Sequence, residues 1–263
     1  MQQNFDMNGR VIPQGSERVY SATDRRYFCL EQPKLDLPAI YQRFLKFLGS
    51  GSFVDLDFSE FTRKVEQLKS ELQTDPTVSN ILKGVYVPFI LPKLSFFKDI
   101  PLEKLVVAAG RSFEESYPNF EFRFLAENNL DSMLEIREDS RWEKIYKIWN
   151  ERSVVGLYFP TALSGFAIPD HTVVLSRLAK NLILSGIPDV ASAFVGSPGL
   201  LMKSDGKYPN LLGLTAFLPK DQSQNHMFHF FEAYGWNLYF NKRSRIGAVS
   251  EYYSGGISLI AQS

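Results

Sequence analysis

A chain of 263 residues with 44% hydrophobic and 14% aromatic side chains can bury a substantial core, which excludes a disordered or low-complexity protein. Its 29 basic and 29 acidic residues cancel, so no net field recommends nucleic acid or a membrane surface as partner. A lone cysteine, Cys29, excludes an internal disulfide framework and fits a reducing, cytoplasmic setting.

Residues 1–34 mix Gly9, Pro13, Gly15, Arg18, Arg25 and Arg26 without a sustained period and read as a polar arm or partly ordered extension. The opening Met1-Gln-Gln-Asn-Phe-Asp6 shows no basic stretch followed by an apolar one, so no signal peptide is expected. Asp36 caps a helix that tolerates Pro38 in its first turn, carries Ile40, Phe44, Phe47 and Leu48 on one face, and stops at Gly49-Ser-Gly51-Ser. That tetrad lacks the Lys-Ser/Thr ending of a phosphate loop and reads as a linker. Phe58, Phe61, Val65, Leu68 and Leu72 recur at three- and four-residue spacings and predict a helix over 58–73. Asp55 and Asp57 precede it and read as capping charges rather than a carboxylate pair for catalysis.

Pro76 opens a short helix through Leu82, and the apolar run 85–91 contains Pro88, which confines it to an edge strand or irregular chain. A helix from Pro101 to about Glu115 turns Leu102, Leu105, Val106 and Ala109 inward. Phe120, Phe122 and Phe124 alternate with Glu121 and Arg123, a strand near 119–125 with one wet face. Helix returns over 140–152 with Trp142, Ile145, Tyr146, Ile148 and Trp149 on its apolar side, and 154–159 is a strand apolar on both faces, hence central.

At about residue 151 the composition changes. Residues 1–150 hold 20 basic and 22 acidic side chains, whereas 151–263 hold 9 and 7. A stretch so depleted of charge either buries most of itself or covers a surface with a partner. The longest uncharged run, 153–169, is broken by Gly156, Pro160 and Gly165 and is shorter than the roughly 20 residues of a spanning helix, so no membrane insertion is expected. Ile168-Pro-Asp170 and Ile187-Pro-Asp189 both read as helix starts. The first helix would run to Gly186 on Val174, Leu175, Leu178 and Leu182, and the second would be short and end at Gly196-Ser-Pro-Gly199. Ser204-Asp-Gly-Lys207 reads as a turn and 211–218 as a strand. Met227, Phe230, Phe231 and Tyr234 at i, i+3, i+4 and i+7, with Ser223 before and Gly235 after, favour a helix over 224–234. Strands follow near 236–241 and over 252–260. Helices and strands intersperse without a βαβ rhythm, which predicts an α+β fold with a mixed or antiparallel sheet and a helix-rich first half. The chain divides into the arm 1–34, a helix-rich part 35–152 and a charge-poor, aromatic-rich part 153–263, the last two forming either two units or one.

Residues able to carry chemistry are few. His226 and His229 would share a helix face, but no third ligand for a metal is evident and the His-Glu-x-x-His arrangement is absent, so no metal and no cofactor is assigned. Asp170-His171 lacks a Gly-x-Ser-x-Gly elbow to present a nucleophile. Cys29 has no neighbouring histidine. Lys242-Arg-Ser-Arg245 after Tyr239-Phe240 is a small basic patch on a neutral chain, read as a solvated turn or an acidic-partner contact. No catalytic residue is assigned.

Three stretches resemble the large subunit of the type VI secretion contractile sheath. They are Pro88-Phe89-Ile90 with Pro92-Lys93-Leu94; Trp142 with Glu151-Arg152-Ser153-Val154-Val155-Gly156-Leu157 and Pro160; and Phe231-Glu-Ala-Tyr234-Gly235-Trp236. The chain departs from that family around 111–139 and at Ala167-Ile-Pro-Asp170, where the family has a Leu-Pro-Tyr-Gly turn. The resemblance implies an α+β protein that polymerises or docks through strand exchange, without catalysis. Composition leads to the same class, a non-enzymatic intracellular assembly or interaction subunit with a protein partner or a homo-oligomeric state. Tyr234, Trp236, Tyr239, Tyr252 and Tyr253 are the candidate interface anchors, since Tyr and Trp are enriched where binding energy concentrates. The alternative is a small-ligand protein or enzyme with a pocket in the C-terminal region, using Asp170, His171, His226 or His229.

Overall fold

The computed structural model describes residues 3–15, 17–19, 30–97, 101–202, 210–244, 249 and 252–261. Cys29, the turn expected at 204–207 and Arg245 lie outside them.

The first half is helical where its periodicity requires it. Helix α1 (Leu37–Leu48) is capped by Asp36, whose carboxylate accepts from the Ala39 N–H at 3.1 Å, and α2 (Phe58–Thr74) by Asp57, which accepts from Glu60 N–H at 2.8 Å. Phe61, Val65, Leu68 and Leu72 of α2 are buried, while Phe58 stays 40% exposed, tilted against Tyr41. Asp55 does not cap α2. It receives the N–H and hydroxyl of Ser153, both at 2.7 Å, and so ties the start of the charge-poor region to the helical half. A 3-10 turn (Ser79–Lys83) replaces the short helix expected after Pro76. Strand β1 (Val87–Leu91), helix α3 (Leu102–Ser116), strand β2 (Phe122–Phe124), the single turn α4 (Leu130–Met133) and strand β3 (Leu134–Ile136) follow. Helix α5 (Glu143–Glu151) starts later than its sequence suggests, after a 3-10 turn at Glu138–Ser140, and buries Ile145 and Trp149.

Beyond it lie β4 (Val154–Phe159), α6 (His171–Ser176), β5 (Ile183–Leu184), α7 (Ile187–Gly196), β6 (Asn210–Leu214), β7 (Phe217–Pro219), β8 (Met227–Tyr234), β9 (Asn237–Ser244), β10 (Tyr253–Gly255) and β11 (Ile257–Ile260). The architecture is α+β. A four-stranded antiparallel sheet has the order β1-β4-β11-β5, a five-stranded mixed sheet the order β10-β6-β8-β9-β2, and β3 pairs with β7 alone. Strand β4 is central and wholly buried, and its Gly156 leaves room for Phe89, whose ring a Cβ there would meet at 2.3 Å. As Pro88 requires, β1 is an edge strand.

Helix α7 is buried at all ten positions and wedges between the two sheets. Phe194 packs on Phe231 of β8 at 4.6 Å between ring centroids, and Ser192 exchanges hydrogen bonds with the backbone N–H and C=O of Ile90 in β1. One continuous core thus draws on both halves of the chain. The charge depletion after residue 151 is in large part burial: β4, β5 and α7 expose almost nothing. The arm is also pinned, since Phe5 and Val11 are buried and the Val11 N–H donates to the Ala162 carbonyl at 2.8 Å.

Five further expectations are corrected. The helix begun at His171 ends at Ser176, because Arg141 donates to the carbonyls of Leu175 and Ala179 at 2.8 Å and Leu182 at 3.1 Å, closing the chain into a loop that feeds β5. Residues 211–218 split at Thr215-Ala216 into β6 and β7, and 252–260 split at Gly256 into β10 and β11. The stretch 224–234 is not a helix but strand β8, so His226 and His229 share no helical face. The reason is tertiary: β6 and β9 pair with the backbone of β8 on its two edges, and Phe230 and Phe231 are buried on its opposite faces. Lys242 and Arg243 are strand residues of β9, not a turn.

Candidate interaction face

The β8–β9 hairpin turns on Gly235 and Trp236, both at positive φ (57° and 71°), with Tyr234 opposite Asn237. Two successive left-handed residues make the turn whose twist matches a β-hairpin. Glycine adopts that conformation freely; a tryptophan does so at a cost of about 1–2 kcal/mol. Trp236 stacks on Phe120, ring centroids 6.0 Å apart and planes 18° apart, and this contact holds the ring in place.

Alternation along β8 divides its side chains. His229, Phe231 and Ala233 face the main core with Leu212, Leu238 and Phe240, while Phe228, Phe230, Glu232 and Tyr234 occupy the outer face. Across that outer face the registers set Tyr253, Leu211, Glu232, Tyr239 and Arg123 in one row over all five strands. Leu211 of this row belongs to a small buried cluster on the same face with Ile168, Phe228 and Phe230, against which Tyr253 packs. Arg243 covers the Phe230 ring at 4.9 Å and approaches Glu232 at 3.9 Å. Partial burial pushes the Glu232 carboxyl up, and the Arg243 charge counters it.

The structure therefore gathers Tyr234, Tyr239 and Tyr253 on one face. Tyr234 is 53% exposed, and the other two are half-buried. Trp236 sits at the hairpin tip, and Tyr252 lies just before β10, its carbonyl accepting from the Leu211 N–H at 3.1 Å. Glu232, Arg123 and Arg243 belong to the same face and escape a helical reading; the alternation Phe228–Phe230–Glu232–Tyr234 is the signal that finds them.

The remaining candidates have other partners. Asp170 accepts from the Arg18 guanidinium at 2.6 Å, which holds its carboxyl below the usual range. His171 is fully buried against Thr215 at 3.3 Å, and desolvation lowers its pKa to about 4. His226 is exposed. His229 stacks on Phe240 and borders a small cavity beside Leu130, Met133, Leu134 and Pro219; desolvation brings it to about 4 as well. Among the described residues no three His, Cys, Asp or Glu gather to hold a metal ion. No helix among them is long and apolar enough to cross a membrane.

A carboxylate missed by sequence reasoning is the most deeply placed. Asp189 is fully buried in the first turn of α7 and accepts from Trp142 Nε1 at 3.0 Å, from the Gly186 N–H at 2.9 Å and from the Ser258 hydroxyl. Desolvation raises it to about 6 against those three donors. It joins α5, α7 and β11 and serves the fold. No protein family, curated protein or solved structure matches this chain.

Proposed function

We propose that this chain is a non-enzymatic subunit of a larger protein assembly and that it meets a neighbouring protein through the outer face of the five-stranded sheet. The observation that carries this reading is the row Tyr253–Leu211–Glu232–Tyr239–Arg123, with Tyr234 exposed beside it. Tyrosine and arginine give large contact areas at low entropy cost, and a half-buried Glu232 among arginines can fix the register of a partner. The strained Trp236 at the hairpin tip supports the same reading, because backbone strain concentrates at binding and switch sites. The first two stretches of the resemblance to the contractile-sheath subunit favour an intracellular, secretion-linked assembly; the third is weakened, because it presumes a helix over 224–234 and lies on the β8–β9 hairpin instead. The C-terminal histidines favour catalysis less, being taken up in packing at His171 and His229 and exposed at His226, where no metal-binding group of three gathers among the described residues.

The test is sizing of the chain purified from its native cell, wild type against a Tyr234→Ala, Tyr239→Ala double variant. Wild type should elute in a stoichiometric complex or homopolymer, and the variant should lose it while melting within about 5 °C of wild type. Should the double variant melt too low, Tyr234→Glu alone serves, since Tyr234 is exposed. A monomeric wild type, or a folded variant that keeps the full complex, overturns the proposal.

A further inference from the structure

A second surface lies at the other sheet and shares no residue with the tyrosine face. Strand β5 spans only Ile183–Leu184 and covers only Ile257 and Ser258 of β11. On that side Leu259 and Ile260 have no neighbouring strand among the described residues. The Ala261 N–H donates to Val155 at 2.9 Å, toward β4. Since successive residues of an antiparallel strand turn their polar groups to opposite sides, the N–H and C=O of Ile260 point the other way, beyond the end of β5.

They face a groove between this edge and α5, where Ile260 is itself buried and Asn181, in register opposite it, is also a lining residue. Its apolar floor is Ile148, Ile183 and Ile260. Its walls carry Lys144, Lys147, Arg152 and Lys180, with Glu151 the one carboxylate among the lining residues. Lys144, Lys147, Ile148 and Glu151 follow one another at helical spacing and form a single face of α5. None of the four cations forms an ion pair among the described residues; Lys144 donates instead to the Lys180 carbonyl at 2.6 Å. A chain of zero net charge thus places four cations that form no ion pair among the described residues along one groove at the end of β5.

We infer that this groove binds an extended acidic peptide segment of a partner protein. Apolar side chains would alternate onto the Ile148–Ile183–Ile260 floor, and carboxylates would reach the cations. Nucleic acid fits less well, because the lining holds no aromatic ring on which a base could stack.

The probe is a fluorescent, acetylated peptide of about nine residues alternating Glu and Val, followed by anisotropy with the full chain. Its Lys–Val counterpart and a single-stranded oligothymidylate of about the same length are the comparisons. The acidic peptide should bind with an affinity that falls as salt rises, and Lys147→Glu with Lys180→Glu should weaken it about tenfold or more. Both lysines are exposed, so the variant should melt as wild type does. Absence of saturable binding, equal binding by the Lys–Val peptide or the oligonucleotide, or an unaffected double variant would each overturn the inference. Loss of the tyrosine-face assembly in Tyr234→Ala, Tyr239→Ala should leave peptide binding intact, so the two proposals fail separately.

Discussion

At the scale of single residues, His171, His229 and Asp189 contribute opposing pH dependences to the fold. His171 and His229 are held to about 4 by desolvation, whereas an imidazole in the unfolded chain titrates near 6.5. The unfolded state therefore takes up protons first, and the stability their neutral burial provides is complete above about 6.5 and lost as pH falls toward 4. Asp189 acts in the opposite sense. Desolvation raises it to about 6 from 3.8, so the folded chain keeps a proton the unfolded chain has released, and stability falls as pH rises from about 4 to 6. The two effects oppose each other in one window. Asp189→Asn keeps an acceptor for Trp142 and a donor for Ser258 while removing the ionisation. Relative to wild type it should gain roughly 2–3 kcal/mol between pH 4 and pH 7, leaving a steeper acid loss governed by the histidines. Chemical denaturation at half-unit pH steps measures this; a constant offset between the two proteins across the window would show that Asp189 does not titrate there.

At the scale of elements, α7 protects an edge that the sequence leaves exposed. Pro88 confines β1 to the border of its sheet, and the border is covered because Ser192 accepts from the Ile90 N–H at 3.1 Å and donates to the Ile90 carbonyl at 2.5 Å. Both groups are buried, and removing the hydroxyl leaves two backbone polar groups without a partner. Ser192→Ala should cost about 2–3 kcal/mol, read as a lower denaturation midpoint with an unchanged slope. A loss below about 0.5 kcal/mol would mean that water or a shifted helix replaces the bond.

For the molecule as a whole, the wedge position of α7 makes the two sheets cooperative. Ser192 binds one sheet, Phe194 packs on the other, and Asp189 reaches β11 and α5. Opening either sheet therefore exposes α7. Backbone amides of β4 and α7 should exchange hydrogen only by global unfolding, with the slowest rates in the molecule, whereas Gly235 and Trp236 at the hairpin tip should exchange fast. Hydrogen exchange read by mass spectrometry checks this; β4 and α7 exchanging at distinct free energies would show two independent units.

Local rules settled much of this fold. The caps at Asp36 and Asp57, the stripe Phe61–Val65–Leu68–Leu72, the central burial of β4 and the edge position of β1 follow from spacing, capping chemistry and the missing N–H of Pro88, which act over a few residues. The aromatic content near the end of the chain marked Tyr234, Trp236, Tyr239, Tyr252 and Tyr253 as candidates, of which the sheet registers set Tyr234, Tyr239 and Tyr253 on one face. What only the tertiary structure decided depends on contacts between distant residues. Residues 227–234 satisfy a helical and an alternating pattern alike, and pairing with β6 on one side and β9 on the other selects the strand. Arg141 ends α6 from 34 positions away in sequence at Leu175. The groove beside Ile260 exists because β5 is short and α5 lies alongside, an arrangement of three segments that no local pattern encodes. The charge-poor composition after residue 151 was compatible with burial or with a partner surface; the packing of α7 assigns most of it to burial, and on the outer face of the five-stranded sheet Tyr234 is exposed while Leu211, Phe228 and Phe230 are buried.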